Sequence, residues 1–521
     1  MIVSAPLHLA RLARVGFVLA REGALGLVDP SLLPPPARLL VRAARLIERR
    51  RADGSGLVAA FTRLGPSYVK FGQFLATRPD LVGMAIAREL TALQDRMPAF
   101  PRADALAVIE AAFGRPAVSL FADIGDPVAA ASIAQVHKAR LRDGGEQVAV
   151  KVLRPGVRAR FRSDLETMAF SARVIESAIP AARRLRPVDV VATLARSVEV
   201  EMDLRLEAAA LSELAENARE DREFRVPAVN WTRTARDVLT SEWIDGVPLS
   251  DPAAIERAGH DRVALARTVI QSFLSHALRD GFFHADMHQG NLFVDAAGRL
   301  VAVDCGIMGR LGLKERRFLA QILFGFITRD YDLVARVHFD AGYVPAHHSV
   351  ADFAQAIRAV GEPIHDKRAD EISMASLLTL LFEITALFDM KTRTELVMLQ
   401  KTMVVVEGVA RSLDPHLDMW RTAEPVVRGW IERNLGPVGM VEQAARGARD
   451  GFGAFGLLPS LIRRAETLSD ALADGARNGF PLSQDSIRAI GRAEGRGNRW
   501  LATGVWLIVV LLAIIVWRDV L

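Results

Sequence analysis

Residues 281–306, GFFHADMHQGNLFVDAAGRLVAVDCG, hold side chains whose types and spacing suit phosphoryl transfer. His284-x-Asp286 is followed five positions after the Asp by Asn291, and then by Asp304 within an Asp-Cys-Gly. Such chemistry needs a carboxylate to position the attacking hydroxyl or water, and oxygen ligands for Mg²⁺, all meeting at one triphosphate. Asp286 suits the first task, and Asn291 and Asp304 the second. Two short apolar runs flanking a turn separate Asn291 from Asp304, which reads as strand-turn-strand. His284, Asp286 and His288 also alternate in a way that can ligate zinc. Asn291 and Asp304 account for the same loop better, leaving His288 a structural residue.

Protein kinases space their catalytic-loop Asp and Asn and their metal-binding Asp in this way. That arrangement demands further elements upstream. Residues 133–141 and 147–153 alternate as two strands joined by Asp143-Gly144-Gly145, a hairpin signal. The second contains Val148-Ala149-Val150-Lys151, where a kinase-like Lys would hold the α and β phosphates. The loop ahead of the first is Ala129-Ala130-Ala131-Ser132 rather than a glycine-rich loop. Alanine restricts the backbone where glycine is permissive, so this loop must cradle nucleotide differently. Helical periodicity over residues 188–218 carries Glu201, Asp203 and Glu207, from which Lys151 needs one orienting carboxylate. Glu207 is the first choice and Glu201 the second. Residues 238–244 read as a strand leading into an Asp-Gly-Val-Pro turn. This suits a hinge where the backbone at Glu242 and Ile244 meets adenine. A helix over residues 262–280 leads into the catalytic loop. After Asp304 a helix over 313–326 follows almost at once, leaving no room for a long activation segment.

At 521 residues the chain can hold several domains. Half its residues are apolar and the net charge is only +5, which points away from nucleic acid. The single cysteine, Cys305, excludes an intrachain disulfide and fits a reducing compartment. Arg11, Arg14 and Arg21 interrupt the N-terminal apolar run, so it does not read as a secretory signal. A helix is expected there, and another over residues 37–51 after Pro34-Pro35-Pro36. The apolar and polar residues of 64–82 also read as helical, with a break near Pro79. Residues 500–517, WLATGVWLIVVLLAIIVW, carry no charge and as a helix would be about 27 Å long. That matches a membrane-spanning helix with interfacial Trp. Arg492, Arg496 and Arg499 precede it, placing the rest of the chain on the cytoplasmic side.

With these motifs, and with Lys70-x-Gly72-Gln73 in a helical stretch, the chain resembles the UbiB family of atypical kinase-like proteins. The resemblance implies an α+β, two-lobe protein-kinase-like fold with an N-terminal helical extension and a C-terminal transmembrane helix. The expected divisions are residues 1–105, 106–250 (small lobe), 251–425 (large lobe), 426–498 (membrane-proximal) and 499–521 (anchor). It implies that Lys70, Gly72 and Gln73 lie over the cleft, with Lys70 contacting Glu201 and Asp203. That assigns Glu207 to Lys151 and makes Ala129 to Ser132 the family's alanine-rich loop. Cys305 departs from the usual Phe, and Ala134 stands where many relatives have Gly. ATP and Mg²⁺ are the implied cofactors. The implied partners are a membrane, lipid or polyprenyl quinone intermediates, quinone-biosynthesis enzymes and a second copy of the chain. The implied role is support of ubiquinone biosynthesis at the bacterial inner membrane. A phosphotransferase of the aminoglycoside or choline type, and a nucleotide-binding scaffold without turnover, are the competing readings.

Overall fold

The computed structural model describes residues 5–24, 48, 56–76, 78, 82–90, 92–93, 97–178, 183, 185–364, 384, 387–390 and 394–435. The expected helix over 37–51 and the apolar stretch over 500–517 lie outside the described residues. Among the described residues no helix is long and apolar enough to cross a membrane. The chain divides into two compact units, residues 1–64, 170–183 and 434–521, and residues 65–169 and 184–433. In the first, α1 (Ala5–Arg21) forms where the N-terminal periodicity predicts it, beside α2 (Gly56–Leu64). Glu22, buried just past α1, accepts a 2.9 Å hydrogen bond from Arg63 of α2.

The second unit begins with a backbone break that the helical pattern does not reveal. Gly65 has φ +106°, and a Cβ there would lie 2.1 Å from the Arg160 guanidinium. Pro66 then opens α3 (Pro66–Ala76), where its missing N–H costs nothing. Beyond α4 (Arg102–Phe113), alternation builds an antiparallel sheet in the order β1 (Phe121–Ala130), β2 (Ala134–Leu141), β3 (Gln147–Leu153), β5 (Val238–Glu242). Successive side chains of a strand point to opposite faces. Val148, Val150 and Val152 of β3 therefore pack with Ala105 and Ile109 of α4. Lys151, between two of them, is turned to the other face.

The periodicity over 188–218 predicts one helix, but there are two, α5 (Pro187–Glu201) and α6 (Leu204–Asn217). Asp203 divides them by capping α6, its carboxylate accepting from the Arg205 N–H. Asp is among the residues most favoured at that position.

Residues 243–245 join the first sheet to a second one, ordered β4 (Phe224–Arg225), β9 (Leu300–Ala302), β8 (Leu292–Asp295), β6 (Gly246–Pro248). The buried α7 (Arg262–Ser275) continues into a π turn over His276–Asp280, which ends at Gly281 with φ 68°. A Cβ at Gly281 would sit 2.4 Å from the Leu311 carbonyl, so only glycine fits before the catalytic loop. β7 (Phe282–His284) pairs with β10 (Met308–Arg310), and α8 (Leu313–Ile327) starts three residues later. The activation segment is accordingly short, as its sequence predicts. α9 (Tyr331–Asp340), α10 (Val350–Gly361), α11 (Thr394–Leu413) and α12 (Met419–Leu435) complete the helical part.

Candidate active site

Lys151 is held from two sides. Its ammonium donates to both oxygens of Glu207, at 2.8 and 2.9 Å, and to Asp304 Oδ2 at 2.9 Å. The choice between Glu201 and Glu207 is decided by the break at Asp203, which puts the two on different helices. One ammonium faces two carboxylates here, so the cluster carries excess negative charge. Burial alone would raise the Asp304 carboxyl, but Lys151 outweighs it and holds the group well below the usual range. Burial pushes the Glu207 carboxyl up against the pull of Lys151. Burial would lower the Lys151 ammonium, but Asp304 and Glu207 together raise it.

The loop between β7 and β8 is fixed by its own polar groups. The Asp286 N–H donates to His284 Nδ1 at 3.0 Å, so a neutral His284 ring carries its proton on Nε2. Burial holds that imidazole below its ordinary value, keeping it neutral. The Asn291 side-chain amide donates to the Asp286 carbonyl at 3.2 Å, and its backbone N–H to the His288 carbonyl at 2.9 Å. With its nitrogen committed, Asn291 keeps Oδ1 for a metal. The Val303 N–H donates to the Asn291 carbonyl at 3.0 Å, tying the loop to the residue before Asp304. Asp304 Oδ1 accepts from the Gly306 N–H at 2.9 Å. His288 Nδ1 accepts from the Gly290 N–H at 3.0 Å, a loop-shaping role. Among the described residues His284, Asp286 and His288 do not converge as a three-ligand metal group. From below, Thr402 of α11 donates to the Ala285 carbonyl at 3.1 Å. Cys305 is buried and its thiol pushed well up by burial, so it is an inert packing residue.

The alanine-rich loop is a tight turn between β1 and β2, with Ala129 opposite Val136 and Ala130 opposite Gln135. The Ala131 N–H donates to the Ala134 carbonyl at 2.8 Å. Ser132 is fully buried. Sequence reasoning missed what holds this turn. Arg154 donates twice to the Ala131 carbonyl, at 2.9 and 2.8 Å, while its guanidinium lies over Phe100. Gln135 reaches the Phe100 backbone and His137, whose Nδ1 contacts the Gly125 carbonyl at 2.8 Å. A polar pair at alternate positions on the inward face of a strand was the available signal.

At the hinge, the Glu242 side chain is occupied by Arg225, with bonds of 2.9 and 3.0 Å, and by the Ala228 N–H at 3.2 Å. Its backbone N–H also donates to the Ala228 carbonyl at 2.8 Å, and Ile244 beyond it is buried. Lys70 Nζ lies 2.5 Å from Glu201 Oε2, with 15% and 12% of the two side chains exposed. Gly72 is buried and Gln73 half-buried on the same helix. Asp203, expected beside Lys70 with Glu201, instead caps α6 and is gripped by Arg205 at 2.9 and 2.6 Å. A short side chain one residue before a helix start satisfies that helix first.

A four-stranded small-lobe sheet with a Lys–Glu pair, a short hinge and a His-x-Asp loop places this protein in the protein-kinase-like class. Residues 92–338 match the ABC1 atypical kinase-like domain and residues 357–418 the UbiB helical domain. The chain is 39% identical over 443 residues to "Probable protein kinase UbiB" of Marinobacter nauticus, covering 84% of this chain and 81% of that one. The corresponding protein of Azotobacter vinelandii is 41% identical over 447 residues, 84% of this chain and 83% of its own. A solved chain described as the complex structure of Rv3197-erythromycin from Mycobacterium tuberculosis covers 76% of this chain at 26% identity, with a TM-score of 0.49. The chain belongs to the UbiB family.

Proposed function

We propose that this protein binds ATP with Mg²⁺, turns it over, and thereby supports ubiquinone biosynthesis at the bacterial inner membrane. The observation that carries the reading is the Lys151 ammonium shared between Glu207 and Asp304 at 2.8 and 2.9 Å. Lys151 holds phosphate oxygens, and Glu207 keeps its ammonium aligned for them. The donor set fits the metal: Asn291 Oδ1 and the Asp304 carboxylate are hard oxygen ligands, the kind Mg²⁺ prefers. When bound, Mg²⁺ supplies charge neutralisation on the transferring phosphate. Asp286 orients the hydroxyl or water that attacks. The turn at Ala129, Ala130, Ala131 and Ser132 covers the phosphates, and the hinge backbone at Glu242 and Ile244 takes the adenine.

Lys70, Gly72 and Gln73 act as a lid element on the nucleotide site, linked through Glu201 to the helix pair that carries Glu207. Residues 500–517 anchor the chain, and the acceptor is a lipid-like quinone precursor or water. Membership of the UbiB family over most of the chain speaks against an aminoglycoside- or choline-type phosphotransferase. The test is ubiquinone content and accumulated precursors after disabling the gene, compared with an Asp286→Asn replacement. Both should lose quinone and accumulate precursor; normal quinone in both sinks the pathway reading.

A further inference from the structure

Two loops of the helical part bring together side chains that the nucleotide site does not use. His347 and His348 lie in the turn between α9 and α10, and Asp389 in the turn ahead of α11. His348 Nε2 is 3.3 Å from Asp389 Oδ2, and His347 Nε2 is 3.8 Å from the same oxygen. One ligand atom from each of the three lies within 4.8 Å of the others. Zinc bound tetrahedrally by two imidazoles and a carboxylate has ligand-to-ligand edges of about 3.4 Å, from bond lengths of about 2.0–2.1 Å. The two His–Asp separations are already at or near that edge. Asp389 is also one of the few non-glycine residues with positive φ, at 47°. A left-handed Asp is tolerable but unusual.

We propose that His347, His348 and Asp389 bind a divalent cation of borderline softness, Zn²⁺ in particular. Imidazole donors favour that ion over Mg²⁺, which takes oxygen ligands, so this site and the nucleotide site select different metals. His347 and Asp389 have 67% and 69% of their side chains exposed, leaving the fourth position to solvent or an incoming ligand. His348, only 20% exposed, leans on Phe388 with ring centroids 5.3 Å apart. Phe388 in turn packs edge-on against Phe353 of α10. The metal therefore clips the segment that carries Phe388 onto the turn at 345–348, reinforcing that hydrophobic cluster.

The test uses the full-length chain without a polyhistidine tag, stripped with chelator and dialysed against Zn²⁺ in the presence of millimolar Mg²⁺. Wild type should retain one more equivalent of zinc than the His347→Ala/His348→Ala double variant. Asp389→Asn should weaken zinc binding at least tenfold, and zinc should raise the thermal midpoint of the wild type alone. Nucleotide affinity, unchanged in all three proteins, reports that each is folded. Equal zinc stoichiometry in wild type and the double variant would overturn the proposal and reduce the cluster to a surface His–Asp hydrogen bond.

Discussion

Lys151 Nζ stands 2.9 Å from Asp304 Oδ2 although 153 residues separate them, so the β3 lysine and the metal-binding aspartate are directly paired. Glu207, with 8% of its side chain exposed, is the more desolvated partner; Asp304, at 40%, is screened by solvent. Lys151→Met leaves Glu207 as a buried unpaired carboxylate. The expected loss of stability is about 3 kcal/mol, since breaking a buried pair from one side leaves its other charge uncompensated. Glu207→Gln, which keeps a hydrogen-bond acceptor, should cost less than half as much. Equilibrium urea unfolding checks the order of the two.

The Lys70–Glu201 pair is enclosed on both sides, so its two members should be strongly coupled. Lys70→Met should cost about 2 kcal/mol, because it strands the Glu201 carboxylate, and Glu201→Met should also destabilise. The double variant should cost clearly less than the sum of the singles. Additive losses in a double-mutant cycle would show that the pair is merely a surface contact.

Arg154 is the main side-chain hold on the alanine-rich turn. Arg154→Ala removes two bonds to the Ala131 carbonyl and should weaken nucleotide binding about 3- to 10-fold, in keeping with about 1 kcal/mol of lost ordering. Titration of a fluorescent nucleotide measures it. A wild-type affinity would mean that the turn is rigid without Arg154.

Acid should destabilise the fold through three buried histidines. Burial lowers His137, His284 and His338 below the ordinary 6.5, so each is neutral in the native state. Below that value the unfolded chain takes up protons that the native one refuses, and stability falls with pH. Above it the contribution is fully present. His338 lies in α9, away from the nucleotide site, and its Nδ1 contacts the Val334 carbonyl at 2.7 Å. His338→Phe should flatten the slope of unfolding free energy between pH 7.5 and 5.5, by up to about 1.4 kcal/mol per pH unit at the acid end. An unchanged slope would contradict a buried neutral imidazole.

The legible parts of this chain are those where spacing along the sequence is also geometry. A His-x-Asp loop, an Asn five residues on and a strand ending at Asp304 are local, and so are the alternation that turns Lys151 away from Val150 and the short run into α8. Where contacts join distant segments, the text is silent. Glu201 and Glu207 fall on one helical periodicity, and only the capping Asp203 between them separates their partners. The side chain of Glu242 is taken by Arg225, and the turn at Ala131 by Arg154, through pairings that no local pattern specifies. Gly65 shows its constraint only once the chain turns there with φ +106°.

Lys151, Asn291 and Asp304 together should form a Mg²⁺-dependent nucleotide site. Calorimetric titration of ATP into wild type and Asp304→Asn, each with Mg²⁺ and with EDTA, tests it most directly. Wild type should bind ATP with Mg²⁺ and at least tenfold more weakly with EDTA. Asp304→Asn should show the weak affinity in both conditions. Equal affinity of the two proteins in Mg²⁺ would contradict the account.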